Sequence, residues 1–112
     1  MGGGRETGYV IRPIVCRHEP EETLEELYAI VDNGGSVVNV IIEHPVYGQI
    51  TCGLRISSRF EADQFVDKLE KENAPLLSQL TGGVHLHTVR CTDEQGFWRI
   101  ASALHTKGFL YE

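Results

Sequence analysis

The chain has 112 residues, 41% of them hydrophobic and 23% charged, and a formal net charge of −6 at pH 7. This length suits one domain with one core, and no apolar run approaches the ~20 residues of a transmembrane helix. The negative charge argues against direct binding of this chain to nucleic acid. Three cysteines without a Cys-x-x-Cys pair, and no signal-peptide pattern, predict a reducing cytoplasm.

The first half of the sequence predicts a leader, a strand, a helix and a second strand. Residues 1–8 are rich in glycine and are expected to be a flexible leader or linker remnant. Residues 9–18 alternate as a strand, and Pro13 indicates an edge or a bulge because it cannot donate to a ladder. A helix starts near Pro20 among glutamates and ends at Asn33-Gly34-Gly35. Residues 36–43 are apolar on both faces, which is typical of a central strand.

The second half predicts a hairpin, two capped helices and two further strands. A turn at residues 45–48 leads into an alternating strand, with inward residues Ile50, Cys52, Leu54 and Ile56. Capping boxes at residues 58–61 and 92–95 each start a helix, and residues 83–91 and 109–111 read as strands. Residues 76–80 fit either a helical turn or a packed loop. The order β-α-β-β-α-β-α-β predicts an α+β, open-faced two-layer sandwich, a mainly antiparallel sheet with helices on one face.

Two histidines occupy alternate positions of the strand at residues 83–91. His85 and His87 share one face, with Cα atoms roughly 6.5–7 Å apart, and Val84 and Leu86 share the other. Imidazoles at this spacing can converge on one metal ion, at metal–nitrogen distances of about 2.0–2.1 Å. A solvated polar face would produce the same pattern. We expect Val84 and Leu86 to face the helices, and the two histidines to lie on the open face.

A metal site needs further ligands, and the candidates are His18, Glu26, His44, His105, Cys16, Cys52 and Cys91. His18 ends a strand and Glu26 lies in the next helix, so both can come close in space. On spacing alone, Glu26 is better explained as one acid of a solvated helix face, and His105 as a partner of a helix C-terminus. The cysteines fit small core residues. His44 fits a hydrogen-bonding hinge of the hairpin equally well.

Several segments together resemble the 3H domain, which is named for its three histidines. The resemblance rests on residues 43–48 (EHPVYG) and 80–88 (LTGGVHLHT), with support from residues 18–22, 25–27, 30–35 and 107–110. It covers residues 9–112, which would form one 3H effector-binding domain. The resemblance implies a fold similar to that of the histidine phosphocarrier proteins.

The resemblance also implies a function. The 3H domain is the effector-sensing part of bacterial repressors that control NAD biosynthesis and niacin-uptake genes in response to nicotinic acid. Family members bind a divalent transition metal at positions that match His18, Glu26, His85 and His87. Zinc or nickel is expected ahead of iron or manganese. His44 would lie near the nicotinic acid or related pyridine carboxylate. The ring of the neighbouring Tyr47 is a candidate stacking face for the ligand, and it fits a turn aromatic that covers the hairpin equally well.

The expected partners follow from the same resemblance. Operator DNA would be contacted only through an N-terminal helix-turn-helix domain that this chain lacks, so an excised domain is expected ahead of a free-standing sensor. A palindromic operator implies a homodimer.

A small metal-dependent hydrolase is the alternative function, because three histidines, a carboxylate and a water also suit hydrolysis. A closed structural zinc site is a third possibility, but such sites are usually rich in cysteine.

Overall fold

The computed structural model describes residues 9–72 and 84–111 of the chain. These residues form a four-stranded antiparallel sheet with helices packed against it. The strands are β1 (Val10–Arg17), β2 (Ser36–His44), β3 (Gly48–Ile56) and β4 (Val84–Cys91). The helices within the described ranges are α1 (Thr23–Val31), α2 (Arg59–Lys71) and α3 (Glu94–Thr106). The strand order is β1-β4-β2-β3, and the predicted α+β open sandwich is confirmed. No described helix is long and apolar enough to span a membrane.

The positions of the strands in the sheet agree with their sequences. β1 lies at one edge, as Pro13 predicts, and pairs with β4. β2 is an inner strand between β4 and β3, as its two apolar faces predict. The predicted hairpin turn joins β2 to β3, and Gly48 adopts a φ of +79° there, which an L side chain rarely tolerates.

The helix ends confirm one predicted cap and correct another. Ser58 caps α2 by accepting a hydrogen bond from the Glu61 amide at 3.1 Å. α3 is capped by Asp93, whose carboxylate accepts from the Gly96 amide at 2.7 Å. The box predicted at residues 92–95 is therefore wrong by one residue. Thr92 and Asp93 are both good caps by composition, so the pattern alone did not separate them.

The predicted last strand is reduced to a single bridge. Leu110 pairs with Cys16 on the free edge of β1. Two backbone hydrogen bonds flank the bridge: the Arg17 amide donates to the Phe109 carbonyl at 2.7 Å, and the Tyr111 amide donates to the Val15 carbonyl at 3.0 Å. This contact brings the buried ring of Phe109 to the end of β1.

The core lies between the sheet and the helices, and it corrects one predicted burial and one predicted orientation. Cys52 pairs with the buried Val40 and so points inward as predicted, but it is exposed because β3 is an edge strand that enters the core mainly at Ile56. On β4, His85 and His87 are the residues that face the helices, and Val84 and Leu86 lie on the other face, only half-buried. The predicted leader, at residues 1–8, and residues 73–83 lie outside the described residues.

Candidate metal centre

His18 and Glu26 are brought together by the connection between β1 and α1. His18 follows β1 directly and precedes a 3-10 turn, Pro20–Glu22, that leads into α1. Glu19 and Glu22 cap this turn reciprocally. The Thr23 hydroxyl donates to the Pro20 carbonyl at 2.7 Å, which holds the turn against the start of α1.

Glu26 lies on the buried face of α1, contrary to the solvated position expected from spacing alone. It is 1% exposed, and its buried neighbours on the helix are Thr23, Leu27, Ala29 and Ile30. Residues 23, 26, 27 and 30 form a stripe at helical spacing. The carboxylate therefore replaces an apolar side chain in the face that packs on the sheet.

β4 contributes two more imidazoles from the face of the sheet that packs against α1. His85 is 3% exposed and His87 is fully buried. Both face the helices together with Val89 and Cys91, which have the same parity. His85 lies opposite Cys16 in the pairing of β4 with β1. All four residues that the resemblance assigned to the metal thus meet in one buried cluster: His18, Glu26, His85 and His87.

The three imidazoles converge on the Glu26 carboxylate through their Nε2 atoms. Oε1 lies 3.0 Å from His18 Nε2 and 3.2 Å from His87 Nε2. Oε2 lies 2.7 Å from His85 Nε2. The rings pack edge to face, with centroids 4.9 Å apart for His18 and His85 and 4.8 Å apart for His85 and His87. This cluster is hereafter called the His3Glu cluster.

Backbone carbonyls determine which nitrogen carries the hydrogen in two of the rings. His18 Nδ1 lies 2.8 Å from the Glu19 carbonyl oxygen, and His87 Nδ1 lies 2.9 Å from the Asn39 carbonyl oxygen. Because a carbonyl oxygen only accepts, each Nδ1 is the donor. In the neutral rings both Nε2 atoms then carry lone pairs, and they lie 3.0 and 3.2 Å from a carboxylate oxygen. Opposed lone pairs repel, so the arrangement calls for a cation, either a proton or a metal ion.

Two buried nitrogens of the cluster have no hydrogen-bond partner among the described residues. His18 Nε2 is close to Glu26 but lacks hydrogen-bond geometry, and His85 Nδ1 is buried; within residues 9–72 and 84–111 neither has a hydrogen-bond partner. Ligands bound at about 2.0–2.1 Å lie roughly 2.9–3.4 Å apart around one metal ion. The separations of 3.0 and 3.2 Å fall in that range and the 2.7 Å separation is slightly shorter. The donor atoms of His18, Glu26 and His85 all lie within 4.8 Å of one another, so these three residues could hold a divalent transition metal. His87 contacts the same carboxylate beside them.

The electrostatics of the cluster also favour added positive charge. Burial lowers the pKa of His18 and of His87, but the Glu26 carboxylate outweighs burial, so both pKa values are raised above 6.5. Burial raises the pKa of Glu26, but the three imidazoles hold it well below its ordinary value of 4.5. The lowered pKa favours the ionised form of Glu26, and a buried carboxylate of this kind is stabilised by a protonated imidazole or by a metal ion.

The other candidate ligands lie outside the His3Glu cluster or carry no charge. Burial, followed by the negative charge of Glu26, raises the pKa of the Cys16 thiol, which keeps it protonated beside the cluster. Cys52 is exposed, and Cys91 is buried at the far end of β4. His105 is exposed in the last turn of α3, where a helix-dipole partner is expected.

The predicted effector residues lie at the β2–β3 turn. His44 Nδ1 accepts hydrogen bonds from the amides of Val46, at 3.1 Å, and Tyr47, at 3.2 Å. The rings of His44 and Tyr47 are 4.9 Å apart. Val40 lies opposite His87, and His44 is four residues further along β2, roughly 13 Å away along the strand. The structure thus joins His44 and Tyr47 to each other, some distance from the His3Glu cluster.

Two residues of the site were not predicted from the sequence. Phe109 is 3% exposed, and its ring centroid is 5.4 Å from that of His18, so it shields that ligand from solvent. Asn39 contacts His87 through its main chain, which no side-chain pattern could indicate. The sequence indicated Asn39 only as a polar residue in the middle of the apolar part of β2.

The fold and the His3Glu cluster together define a small α+β domain with a buried candidate metal centre. The sequence model of the 3H domain matches residues 11–112, and the chain belongs to the 3H domain family. It is 45% identical over 112 residues to a probable transcription repressor, NiaR, of Thermotoga maritima, an alignment that covers 100% of this chain and 63% of that protein.

A second relative has a similar name. The chain is 48% identical over 99 residues to the transcription repressor NadR of Bacillus subtilis, covering 88% of this chain and 55% of that protein. Both relatives are named as transcription repressors, a class of non-enzymatic regulators. The chain spans between 55% and 63% of the length of these two proteins.

Proposed function

We propose that this chain is the metal-binding regulatory domain of a cytoplasmic transcription repressor of NAD biosynthesis or niacin transport genes, and that it senses nicotinic acid. The observation that carries the proposal is the His3Glu cluster, in which the unprotonated nitrogens of two neutral imidazoles lie 3.0 and 3.2 Å from a buried carboxylate. Family membership and the names of the two relatives support the regulatory role.

The four residues would hold one divalent metal, zinc or nickel ahead of iron or manganese. His18, His85 and His87 supply neutral nitrogen donors, and Glu26 supplies the negative charge that offsets part of the metal charge in the core. When bound, the cation supplies positive charge for a carboxylate ligand. His18 and His87 are oriented by the carbonyls of Glu19 and Asn39, which also keep Nε2 available for coordination.

The effector would occupy the space between the His3Glu cluster and the β2–β3 turn. Because His44 Nδ1 accepts two backbone hydrogen bonds, Nε2 carries the hydrogen in the neutral ring and can donate to a carboxylate. Tyr47 is 78% exposed, which leaves a ring face for a pyridine. A ligand that prefers one of two states of the domain would change the orientation of attached DNA-binding domains.

DNA binding would come from a separate helix-turn-helix domain. The two relatives are longer than this chain, and the net charge of −6 opposes contact with phosphates. We therefore expect a homodimeric repressor, in which two such domains match a two-fold operator.

Metal analysis of protein purified without a metal-affinity column tests the proposal most directly. We expect close to one divalent transition metal per chain, and saturable nicotinate binding in calorimetry that is lost after chelation. A purified protein that is metal-free and takes up neither zinc nor nickel would contradict the proposal. A turnover assay with nicotinamide and related amides or esters tests the hydrolase alternative, and we expect no hydrolysis.

A further inference from the structure

Asn39 lies at an irregularity of the sheet, directly beside His87. Val37 pairs with Val89 of β4 and Asn39 pairs with Thr88, so Val38 is an extra residue relative to β4. The same irregularity affects β3, where Arg55 adopts a φ of +62°. A bulge of this kind bends the strand and changes the direction of its backbone carbonyls and side chains. Here it lies at the point of β2 that is opposite a candidate metal ligand.

The two carbonyl oxygens of Asn39, one in the side chain and one in the main chain, accept hydrogen bonds from two successive residues of β4. Its side-chain oxygen accepts a hydrogen bond from the Thr88 amide at 3.2 Å. Its main-chain oxygen accepts from His87 Nδ1 at 2.9 Å. In a regular antiparallel ladder, a strand amide donates to a main-chain carbonyl of the neighbouring strand. The Asn39 amide group therefore takes a ladder position, and the main-chain carbonyl is turned toward the imidazole.

We propose that Asn39 is a positioning residue for the His3Glu cluster: its side chain satisfies the Thr88 amide so that its main-chain carbonyl can hold the His87 ring. This inference rests on the proposed metal binding for its purpose, but its geometry is independent of a bound ion. The carbonyl fixes hydrogen on Nδ1 and directs the Nε2 lone pair at Glu26, whose Oε1 is 3.2 Å away. Such partners of metal-bound histidines orient the ring and raise its basicity.

The short side chain of Asn39 is suited to this role because it carries a carbonyl oxygen that can replace a backbone acceptor, as asparagine does in turns. Alanine would leave the Thr88 amide without this acceptor and would favour the return of the main-chain carbonyl at position 39 to the ladder. Aspartate keeps an acceptor at the same place.

The tautomer of His87 tests the inference through long-range proton–nitrogen spectra of the ring nitrogens, recorded on the metal-free chain at alkaline pH. We expect the wild-type ring to carry its hydrogen on Nδ1. Asn39→Ala should give a mixture of the two tautomers, and Asn39→Asp should restore the wild-type spectrum. A wild-type ring with its hydrogen on Nε2 would overturn the inference without any variant.

Zinc titration of the same proteins gives a second readout. We expect Asn39→Ala to weaken zinc binding by about 10- to 100-fold and Asn39→Asp to recover most of the loss. Ser36→Ala is the matched control, since it removes another side-chain hydrogen bond of β2, the 2.9 Å contact with Ser57. Equal losses in Asn39→Ala and Ser36→Ala, or an unchanged tautomer in Asn39→Ala, would reduce Asn39 to a structural residue. Wild-type protein that binds neither zinc nor nickel but shows the expected tautomers would contradict the proposed function and leave the positioning role intact.

Discussion

His85 Nε2 lies 2.7 Å from Glu26 Oε2, although the two residues are 59 positions apart in the sequence. The contact joins α1 to β4 inside the core, and both side chains are almost completely buried. Because the ligands come from the helix layer and from the sheet, a metal ion bound by them would hold the two layers together. The unfolded chain does not hold these side chains in position, so the free energy of metal binding should add to the free energy of folding.

Removal of both histidines of β4 should abolish stabilisation by metal. Metal at 100 times its dissociation constant should stabilise the wild-type chain by about 2.7 kcal/mol, and each kcal/mol should raise Tm by on the order of 4–8 °C. His85→Ala combined with His87→Ala should show no metal-dependent rise in Tm. The measurement is thermal unfolding with zinc or nickel and after chelation. The control is His105→Ala, on the exposed end of α3, and a metal response that survives in the double variant would place the ligands elsewhere.

Replacement of Glu26 by glutamine should lower the pKa of the neighbouring imidazoles. Burial lowers the pKa of His18 and His87 in the folded chain, and Glu26 is the main group that raises it. In Glu26→Gln both pKa values should therefore fall below the ordinary value of 6.5. Each pKa unit lost removes about 1.4 kcal/mol of stability at acidic pH. Nuclear magnetic resonance titration of the metal-free protein provides the measurement, and unchanged imidazole pKa values would contradict the described geometry.

The sequence placed the candidate ligands His85 and His87 on one face of a strand, but it did not predict their environment. Periodicity placed His85 and His87 on one face of a strand, yet it could not choose the face. Leu86 lies between Val15 of β1 and Ile41 of β2 in the pairing of the strands, so the face away from the helices is also apolar. The expectation that apolar residues face the helices therefore placed Val84 and Leu86 on that side, which is the wrong face of β4.

Glu26 shows the same limit for a helix. Its spacing from Thr23 and Ile30 places it within the buried stripe of α1, but a charged residue in a stripe is usually read as solvent-facing. Glu26 is buried because three imidazoles from other segments of the chain surround its carboxylate. No local sequence pattern contains these contacts. The family resemblance indicated the ligand role because it carries that long-range information.

Metal-free and metal-loaded protein should show opposite pH dependence. The pKa of His18 and of His87 is raised, so their contribution to stability is full below pH 6.5 and is lost as the pH rises through the folded-state values. The pKa of Glu26 is depressed, so its contribution is full above pH 4.5 and is lost as the pH falls through its folded-state value. The metal-free chain should therefore be most stable between these two limits.

The metal-loaded chain should instead gain stability from pH 6 to pH 8, because imidazole must be neutral to coordinate. Denaturant unfolding across this range, with and without chelator, gives the comparison. Parallel pH profiles for the two forms would indicate that protons alone occupy the His3Glu cluster.

Nicotinic acid should bind more tightly than nicotinamide, and only to metal-loaded protein. Nicotinate carries a carboxylate at neutral pH, which a divalent cation would attract, whereas the amide is neutral. Loss of a charge-assisted contact costs about 1.5–3 kcal/mol, or roughly 10- to 150-fold in affinity. His44→Ala should weaken nicotinate binding and leave metal content unchanged, because His44 bonds to the β2–β3 turn rather than to Glu26. Calorimetry with both ligands, on holo and chelated protein, provides the test, with His105→Ala as the control. Equal affinity for acid and amide, or nicotinate binding that is indifferent to chelation, would refute metal-assisted recognition.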